Sequence, residues 1–292
     1  MNILVTGGAG FIGTNLIKRL LFYGYNVVSI DNYNTGKKLN HQKGATYIED
    51  DVRTVDYNKV VSDNFKEGKV DIVYHLAALA RIQPSFDNPL EYFEVNATGT
   101  IRIAQFCSEN NIPLQYAGSS SHHSGKFTNP YTFTKDIGEE IIMLYQDRFD
   151  LNATITRFYN VYGPYHLKEG GYCTVIGKWE KAYEEKKPMI IFGDGTKRRD
   201  FTHVEDIINA LISIQTYDKW GKVYELGFGQ NFSIKEIFEL FKYKKVRYEN
   251  DKPGEAKMTL CSDKKAFLDL GWKAEIKITD YISEYIKKQQ LI

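Results

Sequence analysis

Tyr131 and Lys135 stand four residues apart, directly after Asn129-Pro130, a pair that can start a helix. Residues i and i+4 share one helical face, so the ammonium can lie beside the phenol, favour its phenolate and bring its pKa down toward neutral pH. Such a tyrosine can act as general base and then as general acid. The spacing alone says little in a lysine-rich chain with 21 tyrosines. Upstream, Ser119-Ser120-Ser121 follows a β-rich run. A hydroxyl at such a strand end can hydrogen-bond a substrate oxygen that gains or loses a proton, although a serine run is also what a simple turn contains.

A second cluster is Thr6-Gly7-Gly8-Ala9-Gly10-Phe11-Ile12-Gly13, between the first apolar run and the first helical stripe. Glycines at this spacing allow a tight turn, backbone approach to a pyrophosphate and close helix–sheet packing, and the helix N-terminus adds N–H groups for the anion. Asp31 ends the next strand, where a carboxylate can take the adenosine ribose hydroxyls and repel a 2′-phosphate. NAD is therefore expected rather than NADP. Asp51 with Val52, after a further short strand, is placed to meet the adenine. Lys37 and Lys38 read as a solvated face.

These residues need a frame. Ile3-Leu4-Val5, Tyr25 to Ile30, Asp71 to Leu76, Leu114 to Ala117 and Ala153 to Phe158 read as strands. Phe11 to Phe22, about Leu90 to Glu109 and Tyr131 to Phe149 read as helices. Strand and helix in alternation imply right-handed crossovers. The fold class is α/β: a Rossmann-type doubly wound parallel sheet with a smaller α/β substrate-binding lobe over its carboxyl edge. The expected division is residues 1–163, with a return segment at about 200–226, for the cofactor domain, and 164–199 with 227–292 for the lobe.

Taken in order, Thr6 to Gly13, Asp31-Asn32, His75-Leu76-Ala77-Ala78, Asn96 with Gly99-Thr100, the serine run, Asn129-Pro130-Tyr131 to Lys135, Arg157 to Pro164, and Gly193-Asp194-Gly195-Thr196 with Arg199-Asp200-Phe201 resemble the NAD-dependent epimerase/dehydratase family of extended short-chain dehydrogenases. The likeness continues through Lys252-Pro253-Gly254-Glu255 and Leu270-Gly271-Trp272, and is greatest to members that epimerise UDP-glucose and UDP-N-acetylglucosamine. It implies that Tyr131 is the acid/base, that Lys135 tunes it and contacts a ribose, and that Ser120, or Ser121 if the alignment slips by one, is the hydroxyl partner. Gly7, Gly10, Phe11, Ile12, Gly13, Asp31, Asn32, Asp51, Val52, Leu76, Ala77, Ala78 and Asn96 would line the NAD site with Tyr131 and Lys135. Asn160 and Arg199 would hold a substrate diphosphate and Phe192 would lie near the base. Lys252 replaces a usual arginine, keeping charge but losing the bidentate fork. Thr259 would stand beside the sugar's 2-substituent and, being small, admit an N-acetyl group.

The chain departs from the family around the serines. His122-His123-Ser124-Gly125 replaces the usual Val-Tyr-Gly, and only ten residues separate Ser120 from Tyr131. The pocket rim is thus expected to be more open. The two histidines could carry protons near neutral pH, although a structural or solvent-facing pair is the commoner arrangement. His75 and His203 are expected to pack or bond structurally. Dehydrating and decarboxylating members use an acidic residue near the hydroxyl, where Ser121 and His122 stand here. A keto-reductase would use free NADPH, against Asp31. The reading is an NAD-dependent 4-epimerase acting on a UDP-hexose or UDP-N-acetylhexosamine through a transient 4-keto sugar. The alternatives are another nucleotide-sugar-modifying member or a non-catalytic NAD-binding module.

Net charge is +1, with 38 basic and 37 acidic side chains, which gives no general reason to expect nucleic acid or an anionic membrane as partner. Three widely spaced cysteines make neither a disulfide framework nor a zinc site, so no metal and a cytoplasmic setting are expected. The N-terminal apolar run is too short for a signal peptide or a membrane span. The helices Leu90 to Glu109 and Tyr131 to Phe149 resemble those that pair across the family's dimer interface. Ile137, Ile141, Ile142, Leu144 and Tyr145 give the second of them apolar surface to spare, so a homodimer is expected.

Overall fold

The apolar run Ile3-Leu4-Val5 is buried on both faces, as expected at the centre of a helix-covered parallel sheet. In the computed structural model, which describes residues 1–291, it forms β1 (Asn2–Thr6). The other strands of this sheet are β2 (Asn26–Asp31), β3 (Thr46–Glu49), β4 (Ile72–His75), β5 (Leu114–Ser119), β6 (Ala153–Phe158) and β9 (Lys222–Leu226). Their order is β3-β2-β1-β4-β5-β6-β9 and every pairing is parallel. The order reverses between β1 and β4, and this switch opens a crevice at their carboxyl ends.

Apart from the β2-to-β3 connection, which has only a short 3₁₀ turn, the crossovers are helical: α1 (Phe11–Phe22), α2 (Tyr57–Asn64), α3 (Ile82–Asp87), α4 (Pro89–Phe93), α5 (Gly99–Glu109), α6 (Pro130–Arg148) and, before β9, α8 (Val204–Thr216). The stretch expected as one helix from Leu90 to Glu109 is α4, a π-turn over Glu94–Thr98, and α5. One core lies under α2, α5 and α6, and includes Val73, Ile103, Tyr116 and Ile142. A second lies under α1 and α8, and includes Ile3, Leu16, Ile207 and Tyr224.

The lobe has its own core of Ile176, Trp179, Met189, Ile191, Phe241 and Ile282. Its elements are α7 (Val175–Glu184), the paired strands β7 (Met189–Phe192) and β11 (Val246–Glu249), β8 (Arg198–Asp200) paired with β10 (Asn231–Ser233), α9 (Ile234–Leu240) and α11 (Ile278–Gln290). Between them, α10 (Lys265–Leu270) returns to the sheet, where Ala266, Leu270 and Trp272 join the second core. Among the described residues no helix is long and apolar enough to cross a membrane.

Candidate active site

The turn after β1 meets the turn after β4. Gly7 has φ +75°, and a Cβ there would come within 2.8 Å of the Ala77 nitrogen. A Cβ on Gly13 would reach the Gly7 carbonyl oxygen at 2.2 Å. Side chains at either position would wedge the two turns or the helix apart, which is why glycine is required. The first N–H groups of α1 have no partner within the helix and point to this crevice.

The crevice is the floor of a cavity of about 750 Å³ closed above by the lobe. Gly7, Gly10, Phe11, Ile12, Gly13, Asp31, Asn32, Val52, Leu76, Ala77 and Ala78 line its floor. Asp31 is buried and accepts from the backbone N–H of Ala9 (2.9 Å) and Tyr33 (2.8 Å). Burial raises its pKa, against the pull of those N–H groups. The glycine cradle, the helix N-terminus and a carboxylate at the end of β2 are the donor set that a dinucleotide without a 2′-phosphate needs.

Two residues expected on this wall are elsewhere. Asp51 turns away from the cavity, because its carboxylate is taken by Arg53 (2.8 Å to both oxygens) and Asn32 (2.8 Å). The Arg53 guanidinium holds its pKa down at about 2. Asn96 is buried inside the π-turn, where its amide accepts from Leu79 N (2.8 Å) and donates to Leu79 O (3.0 Å) and Thr134 Oγ1 (3.1 Å). It fastens the loop after β4 to α6.

Helix α6 starts where the sequence indicates. Asn129 caps it by accepting from Thr132 N (2.7 Å), and Pro130 occupies the first turn. Tyr131 and Lys135 then lie one turn apart on the cavity wall. The hydroxyl that meets the phenol belongs to Ser119, not to Ser120: Tyr131 donates to Ser119 Oγ at 3.1 Å. The reason is that β5 runs to Ser119, two residues beyond the expected strand end, before a 3₁₀ turn over Ser120–Ser124. Ser120 and Ser121 also line the cavity, and Ser121 Oγ is buried without a partner among the described residues. A buried orphan hydroxyl is costly, and a ligand oxygen in the cavity would satisfy it.

Lys135 does not face the phenol in the way the spacing suggests. Its Nζ donates to Ala117 O (2.6 Å) and lies 4.2 Å from the centroid of the Tyr116 ring. Burial lowers the Lys135 pKa to about 8. Burial also raises that of Tyr131; the Ser119 hydrogen bond and the nearby Arg81 guanidinium oppose the rise. Arg81, from the loop after β4, is a cavity residue that the sequence reading passed over, and Ser119 was read as part of the serine run but not chosen as the partner.

The far end of the cavity is polar. Asn160 donates to Thr259 Oγ1 (2.9 Å) and Asp200 O (2.9 Å), so Thr259 positions Asn160 as well as lining the wall. Arg199 is mostly buried and faces Glu255 at 3.4 Å. Lys252 Nζ sits 3.8 Å over the Phe192 ring, so the aromatic face expected near a base is capped by a cation.

The histidines fall outside the cavity lining. His122 Nδ1 is 2.9 Å from Asp136 Oδ1, and His123 Nε2 is 2.9 Å from Glu225 Oε1. His122, Asp136 and Glu139 could offer ligand atoms within 4.8 Å of one another, but Arg157 already engages both Glu139 oxygens. The pair buttresses the serine turn against α6 and β9. His75 bonds Thr6 and Thr100, and His203 caps α8; burial lowers their pKa values to about 3 and about 4.

A family model described as "NAD dependent epimerase/dehydratase family" matches residues 3–227. The chain belongs to this family. The family's cofactor is NAD, the one that Asp31 leads one to expect. The member is 31% identical to a putative UDP-glucose 4-epimerase of Methanocaldococcus jannaschii, over 97% of each chain. It is similar to the UDP-glucose 4-epimerase of Thermotoga maritima solved with UDP-glucose (TM-score 0.90, 25% identity, 99% of this chain and 100% of that one). A third likeness is to the UDP-glucuronic acid 4-epimerase of Bacillus cereus solved with UDP-glucuronic acid and NAD (TM-score 0.86, 29% identity, 100% of both).

Proposed function

We propose that this family member is a UDP-sugar 4-epimerase that uses tightly held NAD. The observation that carries the reading is one continuous cavity in which the Tyr131 phenol, on Ser119, lies between the glycine cradle and the Asn160–Arg199–Lys252 end. Tyr131 takes the proton of the sugar's 4-hydroxyl and later returns it to the oxygen of the 4-keto sugar. Bound NAD would supply the hydride acceptor, taking hydride from C4 and giving it back to the opposite face of the planar 4-keto carbon. Lys135 and the serine hydroxyls orient the reacting oxygens, while Asn160, Arg199 and Lys252 hold the diphosphate as the 4-keto sugar turns.

Dehydration or decarboxylation would need an acid beside the reacting sugar. The acids lining the cavity are Asp31, Asp50, Glu185 and Glu255, and each is engaged elsewhere. Asp31 bonds Ala9 and Tyr33, Asp50 bonds the Asp51 N–H, Glu185 pairs with Lys187, and Glu255 faces Arg199. Incubation with UDP-glucose, UDP-N-acetylglucosamine and UDP-glucuronate, read by NMR, should give the 4-epimer with no net reduction of cofactor. A 4-keto-6-deoxy product or released CO₂ would overturn the reading.

The small side chain at Thr259 supports acceptance of 2-acetamido sugars. A bulkier group there excludes by clash, which one residue can accomplish. Thr259→Tyr should abolish turnover of the N-acetylated sugar more than that of the plain hexose in paired kcat/KM measurements. Because Thr259 also holds Asn160, Thr259→Val serves as the control: it is small but lacks the hydroxyl, and should weaken both substrates alike. We further propose a homodimer through α4, α5 and α6, supported by exposed Leu90, Phe93, Ile101, Met143 and Leu144 on these helices.

A further inference from the structure

Arg81 is a half-buried cation that the catalytic scheme leaves without a task. It stands on the cavity wall with Tyr131, and its Nε donates to Tyr172 O (2.9 Å) and its Nη1 to Ala80 O (3.0 Å). Those two carbonyls fix the guanidinium plane and leave Nη2 without a protein partner among the described residues. Arg199, the other cavity arginine, has Glu255 opposite it; Arg81 has no carboxylate within salt-bridge distance. Its ionisable neighbours are the phenols of Tyr131 and Tyr92 and the thiol of Cys173. Tyr92 ties the arrangement together: its hydroxyl donates to Arg81 O (2.8 Å) and its ring meets that of Tyr131 edge-on, with centroids 6.4 Å apart.

We infer that Arg81 is the counter-ion for an acidic substituent on the sugar, so that the preferred substrate is a UDP-hexuronate bearing a carboxylate at C6. The inference rests on the 4-epimerase reading, since that is what places C4 at Tyr131. C5, which carries C6, is bonded to C4. A cation on the cavity wall beside Tyr131 lies near the substituents that flank C4, the 3-hydroxyl and C6, and of these only C6 can carry a carboxylate. A guanidinium drawn partly out of water with no anion opposite it loses solvation that an anion would make up, and a planar carboxylate is the group its free edge matches. Neutral hexoses would leave it unpaired. A 2-acetamido group beside Thr259 is compatible with this arrangement, because C2 and C6 lie on opposite sides of the ring.

The test compares wild type with Arg81→Met and Arg81→Lys. For each, kcat/KM is measured on UDP-glucuronate and UDP-glucose, and binding of both sugars, UDP and NAD is titrated by calorimetry. Wild type should prefer the uronate. Arg81→Met should lose roughly 10–100-fold on the uronate relative to glucose, the size of a lost charge-assisted pair, and Arg81→Lys should recover part of it. UDP and NAD affinities should stay within about twofold, as both phosphate sites lie elsewhere. An equal loss on both sugars with a shifted pH–rate profile would show instead that Arg81 acts through Tyr131. A weakened UDP or NAD titration would show a phosphate contact. Either result, or equal wild-type binding of the two sugars, overturns the inference. If no UDP-sugar is epimerised, the functional reading fails, and the binding ratio still decides the role of Arg81.

Discussion

Tyr131 gives the sharpest separation of chemistry from stability. Its hydroxyl makes one hydrogen bond, to Ser119 Oγ. Tyr131→Phe should therefore cost about 1 kcal/mol in unfolding free energy while removing epimerisation by at least ~10²-fold in single-turnover assays. Retained turnover would remove Tyr131 from the acid/base role. Lys135 is different, because its charge is itself a burden on the fold. Burial takes its pKa from 10.5 down to about 8. Below pH 8 the folded protein holds a buried ammonium that the unfolded chain solvates freely. Between about pH 8 and 10.5 the unfolded state binds the extra proton, so the wild type gains stability as pH rises. Lys135→Met should thus be the more stable protein at pH 7, by at most about 3 kcal/mol, less the lost bond to Ala117 O. Its advantage should shrink toward pH 10.5 in parallel denaturant titrations. An advantage constant with pH would show that the charge is not what is costly.

At the scale of the elements, the site is an agreement between α6 and β5. Helix α6 brings Tyr131 and Lys135, β5 brings Ser119, and their separation is set by Gly138 against Tyr116. A Cβ on Gly138 would come within 2.0 Å of the Tyr116 hydroxyl and 2.8 Å of its ring. Glycine inside a helix otherwise costs about 1 kcal/mol, so close packing explains its presence. Gly138→Ala should push the helix outward, destabilise the protein by about 2 kcal/mol despite better helix propensity, and reduce kcat more than it changes KM. Unchanged kcat with a raised melting temperature would show that Tyr116 simply moves aside. The π-turn in the neighbouring helix has a similar task. It turns Asn96 inward to grip Leu79, so the loop carrying Arg81 is anchored close to α6.

For the whole molecule, the apolar surface of α4 to α6 is the feature a lone chain does not account for. Leu90 is 71% exposed and Leu144 51%, whereas Ile142, counted from sequence among the surplus apolar residues, lies in the first core. Leu144→Asp should convert the proposed dimer to a monomer by light scattering at micromolar concentration without unfolding it; a wild-type monomer would remove the proposal. Local sequence was enough for the alternation of strands and helices to be read, for α1 and α6 to be placed, and for the glycine turn, Asp31, Tyr131 and Lys135 to be singled out as residues that line the cavity. Each depends on contacts between residues close along the chain: a buried apolar run, a capped helix start, a turn that only glycine can make. What depended on distant contacts did not show. Ser119 in place of Ser120 followed from two more residues of pairing between β5 and β6. The polar group of Asn96 is taken by the distant Leu79 and Thr134, and that of Asp51 by Asn32 from the end of β2 together with the nearby Arg53. Arg81 carries no motif at all, and its position beside Tyr131 exists only because the loop after β4 is folded back on α6. A hydrogen-bonding group has few partners to choose from in sequence but many in space, and only the tertiary structure decides which of them it meets.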